Sequence, residues 1–171
     1  MPEKKFTPLN IAVLTVSDSR QEAEDKSGSV LVQRIEEEGH HLYEKKMCID
    51  CRYRIRAELS RWIADDAVDV VITTGGTGFT GRDVSPEAVQ ILFDKEITGF
   101  GELFRQISFA DIGTSTMQSR AIAGVANATY IFTLPGSPGA CRTAWDEILR
   151  PQLDSRTRPC NLVEIKDRLI E

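Results

Sequence analysis

The strongest constraint on the fold is an alternation of short apolar segments with amphipathic ones along most of the chain. Segments 10–16 and 69–73 are almost continuously apolar, which is typical of strands covered on both faces of a parallel sheet. Segments 27–38 and 53–65 carry apolar residues about 3.6 positions apart, which predicts helices. The alternation predicts an α/β protein with a mainly parallel sheet between two helical layers, a three-layer α/β/α fold.

The rest of the chain extends this pattern and adds a hairpin. Residues 40–49 are less apolar and predict a strand nearer an edge. Ser85 followed by Pro86 predicts a helix start with Ser85 as its cap. Segments 121–126 and 129–134 predict two strands joined by a tight turn, and hence one antiparallel edge strand. A further short strand is predicted over 162–165.

Length and charge limit the classes of function. A chain of 171 residues fits one domain, predicted to span 1–171 with flexible ends at 1–9 and 166–171. Lys and Arg number 21 against 26 Asp and Glu, a balance that argues against binding to nucleic acid. The polar first ten residues and the absence of an apolar run of ~20 residues predict a cytoplasmic protein without a membrane partner.

The most informative motif is the segment ITTGGTGFTGRD at 72–83, which holds four of the chain's 12 glycines. It follows a predicted strand, and ligands of open α/β sheets bind at the carboxyl ends of the strands. The loops 17–20 and 135–139 are predicted to lie at the same edge. Glycines allow close approach of a ligand, and successive backbone N–H groups form an anion-binding concavity. The alternative is that this segment is a tight turn in which glycine is needed only for the backbone geometry and no ligand binds.

Two better-known glycine motifs fit this segment poorly. Gly76, Gly78 and Gly81 have the spacing of a dinucleotide fingerprint, but the helix start at Ser85 comes only after the motif has ended. A P-loop requires Lys and then Ser or Thr after the last glycine, and this chain has Arg82 and Asp83. Asp83 instead lies at the far edge of the loop, where a carboxylate can hold a cation that bridges phosphates.

The cysteines give a weaker signal. Cys48 and Cys51 form a CxxC pair, but Cys141 and Cys160 do not form a second one, and a structural zinc site needs four ligands. The pattern favours ordinary reduced thiols and leaves the role of Cys48 and Cys51 open.

Several segments together resemble the molybdopterin-binding domain family, which includes molybdopterin adenylyltransferase and molybdenum cofactor biosynthesis protein B. The glycine segment and the following RDVSPEA at 82–88 resemble its central motif. The stretches GFGE at 99–102, SRA at 119–121 and PGSP at 135–138 resemble its further motifs, in the same order. The tail at 153–161 is most similar to the protein B branch.

This resemblance implies adenylyl transfer from ATP to the terminal phosphate of molybdopterin, with release of pyrophosphate. It implies Asp50 and Asp83 as catalytic residues and as ligands of Mg²⁺, without fixing which of them holds metal and which positions the pterin phosphate. The residues expected to bind molybdopterin or nucleotide lie in the loops at the carboxyl edge: Ser17, Asp18, Thr74, Gly75, Gly76, Thr77, Gly78, Ser119, Pro135, Gly136 and Ser137.

Two questions stay open: whether the protein is catalytic, and whether it is a trimer or a hexamer. A non-catalytic molybdopterin-binding protein of the same pathway is the alternative function, although the presence of both Asp50 and Asp83 favours activity. The resemblance also implies a homotrimer or a hexamer formed by two trimers, and hand-over of the product to a molybdate-inserting protein.

Overall fold

A six-stranded sheet in the order β2-β1-β3-β6-β5-β4 forms the centre of the molecule. The computed structural model describes residues 4–19 and 21–170. The strands are β1 (Asn10–Val16), β2 (His41–Cys48), β3 (Val70–Thr74), β4 (Lys95–Glu96), β5 (Ile122–Ala126) and β6 (Thr129–Leu134). β1, β2, β3 and β6 are parallel, whereas β5 pairs antiparallel with β6 and β4 pairs antiparallel with β5. The predicted sheet is confirmed, and the two-residue β4 completes its antiparallel edge.

Helices cover both faces of the sheet. They are α1 (Lys26–Glu37), α2 (Arg52–Ile63), α3 (Ser85–Gln90), α4 (Thr98–Ile112), α5 (Pro138–Ala144) and α6 (Arg150–Gln152). A π-helical turn, Trp145–Leu149, joins α5 to α6, and three 3-10 segments lie at Glu22–Glu24, Gly113–Gln118 and Lys166–Arg168. Buried side chains of α1, α4 and α5 pack on one face, and those of α2 and α3 on the other. The three-layer prediction is confirmed.

The alternation of side chains along β1 explains why residues 11–14 are all apolar. Ile11 and Val13 pack into the core beneath α1, α4 and α5, whereas Ala12 and Leu14 pack into the core beneath α2 and α3. Successive residues of a strand point to opposite faces, so a strand covered on both sides is apolar at every position. All four side chains are fully buried.

Two local predictions are wrong. Residues 162–165 form turns rather than a strand, because the Asn161 side chain accepts a hydrogen bond from the backbone N–H of Glu164 at 3.0 Å. This local bond offers the backbone an alternative to a sheet ladder. Ser85 is the first residue of α3 and Val84 is its cap; the Ser85 hydroxyl is fully buried against the glycine loop instead.

The two ends of the described chain make specific contacts. Leu9 is buried and donates its backbone N–H to His40 Nδ1 at 3.1 Å, and Lys166 pairs with Asp69 at 2.6 Å. Residues 1–3, Arg20 and 171 lie outside the described residues, and flexible ends stay a prediction. Within the described chain, no helix combines the length and apolar character needed to cross a membrane.

Candidate functional site

The topology brings five loops to one edge of the sheet. Because β1, β2, β3 and β6 are parallel, the segments that follow their carboxyl ends lie side by side, as the sequence predicted. β5 runs in the opposite direction, so the residues before it, Ser119 and Arg120, reach the same edge. The predicted loops at 17–20, 74–83 and 135–139 therefore belong to one surface, with Arg20 outside the described residues and α5 beginning at Pro138.

A polar cavity of about 190 Å³ lies in this surface, between the ends of β1 and β3 and the start of α1. Its wall is formed by Thr15, Val16, Ser17, Ser19, Ser27, Thr74, Gly75, Gly76 and Gly136. Five predicted site residues are thus in the wall: Ser17, Thr74, Gly75, Gly76 and Gly136. Five of the nine wall residues carry a hydroxyl and three are glycines, as expected for a site that receives an anion.

Glycine is required at two positions of this wall. Gly75 and Gly76 have φ angles of +103° and +67°, which disfavour any residue with a Cβ. A Cβ on Gly75 would lie 2.1 Å from the carbonyl oxygen of Val16. Gly75 therefore allows the loop after β3 to lie directly against the end of β1.

Asp50 lies immediately beside Gly76. A Cβ on Gly76 would be 2.6 Å from Asp50 Oδ2 and 2.4 Å from the buried Ser85 hydroxyl. Asp50 Oδ1 accepts the backbone N–H of Val84 at 3.2 Å, and only 8% of the residue is exposed. Burial raises the pKa of this carboxyl, and the nearby carboxylates Asp83 and Asp18 add to the rise.

Asp83 lies beside Gly78 at the far end of the loop. A Cβ on Gly78 would be 2.7 Å from Asp83 Oδ2. That oxygen accepts the Thr80 backbone N–H at 2.9 Å and the Thr80 hydroxyl at 2.6 Å. The hydroxyl bond is the largest cause of the lowered pKa of Asp83, so this carboxylate is held in its charged form.

Asp18 connects the loops after β1, β2 and β3. Its Oδ1 accepts the backbone N–H of Asp50 at 2.9 Å, and both of its oxygens accept bonds from the Arg82 guanidinium, at 2.8 and 2.9 Å. The Arg82 hydrogen bonds lower the pKa of Asp18 to about 2. A charge-assisted bidentate pair is directional, so Asp18 orients the backbone that carries Asp50.

The remaining predicted residues have structural partners at the same edge. The Thr74 hydroxyl donates to the Pro135 carbonyl at 2.9 Å, and Ser137 Oγ caps α5 by accepting the Ala140 N–H at 3.1 Å. Thr77 is buried within the loop. The Ser119 carbonyl accepts a bond from Arg105 at 3.2 Å. Asp18, Asp50, Thr77, Gly78, Asp83, Ser119, Pro135 and Ser137 lie outside the cavity wall itself, and their roles stay predictions.

Sequence reasoning missed four wall residues: Thr15, Val16, Ser19 and Ser27. Ser27 is the most informative of them, since it lies in the first turn of α1 and its hydroxyl donates to the Gly136 carbonyl at 2.9 Å. The signal for it was Asp25, a preferred helix cap, directly before an amphipathic segment. That signal places a helix start at the carboxyl end of β1, next to the glycine loop.

The donor set fits a magnesium ion that is held partly by substrate. Asp50 and Asp83 lie against two glycines of one loop, separated by a single residue. Among residues 4–19 and 21–170, no group of three or more His, Cys, Asp or Glu side chains is arranged to hold a metal ion. Mg²⁺ is commonly bound by one or two carboxylates together with substrate phosphates and water, and this site offers that incomplete set.

The cysteine pair lies next to Asp50 in sequence. Cys48 and Cys51 are half-buried free thiols, Cys141 is buried and Cys160 is exposed. Burial raises the pKa of Cys48 to about 11, whereas backbone N–H groups of Arg54 and Tyr53 at the start of α2 lower the pKa of Cys51. The surroundings therefore disfavour the thiolate form of Cys48 and favour that of Cys51.

Comparison with known proteins agrees with this geometry. Residues 12–155 match the family model described as a probable molybdopterin binding domain. The chain belongs to the molybdopterin-binding domain family. The resemblance read from the motifs is thus confirmed over most of the chain.

Relatives of this molybdopterin-binding domain are named molybdenum cofactor biosynthesis protein B. The Escherichia coli K12 protein is 58% identical over 157 residues, which cover 92% of each chain. The Bacillus cereus protein is 44% identical and covers 88% of this chain and 90% of its own.

Solved structures give the same result. A crystal structure of molybdenum cofactor biosynthesis protein B superimposes with a TM-score of 0.87 at 39% identity, covering 98% of this chain and 99% of the other. The tungsten cofactor synthesizing protein MoaB from Pyrococcus furiosus has a TM-score of 0.75 at 36% identity, with 84% and 91% coverage.

Proposed function

We propose that this protein is an adenylyltransferase of molybdenum cofactor biosynthesis. In the proposed reaction an oxygen of the terminal phosphate of molybdopterin attacks the α-phosphorus of ATP. The bond between the α-phosphorus and the bridging oxygen breaks, and pyrophosphate leaves with the bond electrons. The products are adenylylated molybdopterin and pyrophosphate.

One observation carries the proposal: both predicted carboxylates lie against the glycine loop, and that loop forms part of the wall of a polar cavity. Asp50 is adjacent to Gly76 and Asp83 is adjacent to Gly78, while Gly76 itself is part of the cavity wall. The two aspartates come from loops that follow different strands. A plain tight turn would not require a second loop to deliver a buried carboxylate to its glycines.

The residues have distinct tasks in this proposal. Backbone N–H groups of the glycine loop and hydroxyls such as those of Ser17 and Ser19 would bind phosphate oxygens in the cavity. Asp50 and Asp83 would hold Mg²⁺, which when bound neutralises charge on the phosphates. The Asp18–Arg82 pair would keep Asp50 aimed at the loop through the bond to its backbone N–H. Phosphoryl chemistry depends mostly on such positioning and charge neutralisation.

The decisive experiment measures pyrophosphate release from purified protein supplied with molybdopterin, ATP and Mg²⁺. We expect turnover by the wild type and a loss of about 100-fold or more in Asp83→Asn and Asp50→Ala, in which a carboxylate that would hold Mg²⁺ is removed. Asp111→Asn is the matched control, because Asp111 is exposed on α4. Circular dichroism of each variant shows whether the fold is retained. Unchanged turnover in Asp83→Asn would refute the assignment of that residue.

The same assay separates the proposal from a non-catalytic molybdopterin-binding protein. One observation favours that second function: Asp83 Oδ2 already accepts two bonds from Thr80 within its own loop, as in a purely structural turn. Tight molybdopterin binding by the wild type without pyrophosphate release would establish the binding function and exclude the adenylyltransferase.

We also propose that the protein is a homotrimer or a hexamer in the cytoplasm and passes its product to a molybdate-inserting protein. Exposed apolar side chains on α4 and the following 3-10 segment support self-association: Phe109 is 56% exposed, Ile112 47% and Met117 76%. Apolar surface of this kind favours contact with another protein chain. Light scattering of the purified protein tests the assembly, and a monomeric mass would refute it.

A further inference from the structure

Arg120 is the residue that connects the start of β5 to the glycine loop. β3 and β5 are not neighbours, because β6 lies between them. Arg120 reaches the loop after β3 because the antiparallel direction of β5 puts the start of that strand at the site. Its side chain is 23% exposed, so most of this long cation is enclosed by the groups that it contacts.

The guanidinium donates to three carbonyl groups of the loop. Nε donates to Thr77 O at 3.1 Å and to Gly78 O at 3.0 Å. Nη2 donates to Gly78 O at 2.6 Å and to Asp83 O at 3.0 Å. A single side chain therefore binds the loop both at its middle and at the residue that carries the Asp83 carboxylate.

These bonds also fix which way the loop faces. Carbonyl oxygens repel anions, so a loop that receives phosphate must turn its carbonyls elsewhere. Here the carbonyls of Thr77 and Gly78 point to a cation on the side of β5. Arg has the planar set of donors that this requires, whereas Lys is a single point charge.

Two further contacts hold the guanidinium in place. Nη1 forms an ion pair with Glu87 of α3, and the guanidinium carbon lies 5.4 Å from the centre of the Phe79 ring. A cation over an aromatic face is attracted by the ring. The loop residue Phe79 and the helix residue Glu87 thus enclose Arg120 from two sides.

We propose that Arg120 is the positioning residue of the glycine loop. By binding the carbonyls of Thr77, Gly78 and Asp83, it holds the loop in the conformation that turns its N–H groups away from Arg120 and places the Asp83 carboxylate at Gly78. Arg120 does not touch substrate in this proposal. Its effect on turnover rests on the adenylyl transfer proposed above, whereas its effect on the loop does not.

The test compares hydrogen exchange of the ligand-free wild type and Arg120→Lys. We expect amides within 77–83 to exchange about tenfold faster or more in the variant, while amides of β1 and β3 are unchanged, because local opening is measured residue by residue. In the pyrophosphate-release assay we expect kcat to fall about 100-fold through misplacement of Asp83, with a much smaller change in the KM for ATP.

Two variants serve as controls. Arg156→Lys changes an arginine that forms a bidentate pair with Asp154 and whose guanidinium lies over Phe6, before the start of β1. It should leave loop exchange and kcat unaltered. Glu87→Gln removes the ion pair and keeps the carbonyl bonds, so loop exchange should stay near that of the wild type.

Three results would overturn the proposal. If the amides of 77–83 in Arg120→Lys exchange at the wild-type rate, the carbonyl bonds do not hold the loop. Uniformly faster exchange across the whole protein would show a general structural role. An effect of Glu87→Gln as large as that of Arg120→Lys would assign the role to the ion pair. If the wild type releases no pyrophosphate, the proposed function fails, and the exchange data still decide the role of Arg120.

Discussion

At the scale of single residues, Gly76 links loop geometry to the predicted catalytic carboxylate. We expect Gly76→Ala to lower the free energy of unfolding by about 2 kcal/mol or more, because the left-handed φ is unfavourable for alanine and the new methyl group overlaps its neighbours. Those neighbours are Ser85 Oγ at 2.4 Å and Asp50 Oδ2 at 2.6 Å. Urea denaturation measures the loss, and pyrophosphate release should fall as Asp50 is displaced.

The same loop offers a matched control. Gly81 has no atom within 4 Å of the position that a Cβ would occupy, so Gly81→Ala should cost less than about 1 kcal/mol. If both substitutions had the same effect on the urea midpoint, contact with Asp50 and Ser85 would not be the reason why residue 76 is glycine.

The residues of the site show what a sequence reveals and what it conceals. Gly75 and Gly76 were predictable as parts of the cavity wall, because several glycines directly after a buried strand are unusual and imply close approach to the backbone. Ser27 and Arg120 were not, since a serine near a helix start and an arginine before a strand are common. Only the assembled sheet shows that Ser27 contacts the loop after β6 beside the cavity and that Arg120 contacts the glycine loop.

At the scale of the elements, Asp25 stabilises the start of α1 beneath the cavity. Its Oδ1 accepts the Gly28 N–H at 2.8 Å, its Oδ2 accepts the Thr15 hydroxyl at 2.8 Å, and Lys45 Nζ lies 3.2 Å from the same Oδ2. Asp25→Ala should lower the free energy of unfolding by about 3 kcal/mol, because it removes the cap and leaves Lys45 without a partner. Urea denaturation at neutral pH gives the value.

Asp25→Asn separates the two contributions. Asparagine is as good a helix cap as aspartate but carries no charge for Lys45, so its loss of stability should be smaller than that of the alanine variant. Equal losses in the two variants would show that the cap contributes nothing. An unchanged urea midpoint in Asp25→Ala would contradict the role of the whole cluster.

Element types were more predictable than their partners in the sheet. The continuous apolar character of β1 and β3 predicted buried parallel strands, because both of their faces must be covered. β4 has only Lys95 and Glu96, both exposed, and two polar residues carry no periodic signal. Segment 162–165 has the composition of a strand, yet the side chain of Asn161 turns the backbone. Local hydrogen bonds of this kind overrule propensity and are visible only in three dimensions.

At the scale of the whole molecule, His40 makes stability depend on pH. It is 4% exposed and lies between Phe6 of the amino-terminal segment and Trp145 next to α5. Its Nδ1 accepts the Leu9 N–H at 3.1 Å, a bond that requires the neutral ring. Burial lowers the pKa of His40 to about 4, well below the value of 6.5 expected for an unfolded chain.

The sign of the effect follows from proton binding. Between pH 6.5 and about 4 the unfolded chain binds a proton at His40 that the folded protein does not, so stability falls as the pH is lowered through this range. One such group changes the free energy of unfolding by about 1.4 kcal/mol per pH unit at most. Above pH 6.5 both states are neutral at His40, and this contribution no longer varies.

His40→Asn tests the prediction, since the asparagine side chain offers an acceptor for the Leu9 N–H and does not titrate. Urea denaturation at pH 7 and pH 5 should show a smaller loss on acidification in this variant than in the wild type. His41→Asn is the control, because His41 is exposed at the start of β2 and its replacement should leave the wild-type dependence on pH intact. An identical loss in the wild type and His40→Asn would show that the contacts holding the amino-terminal segment to the helical layer do not depend on the protonation of His40.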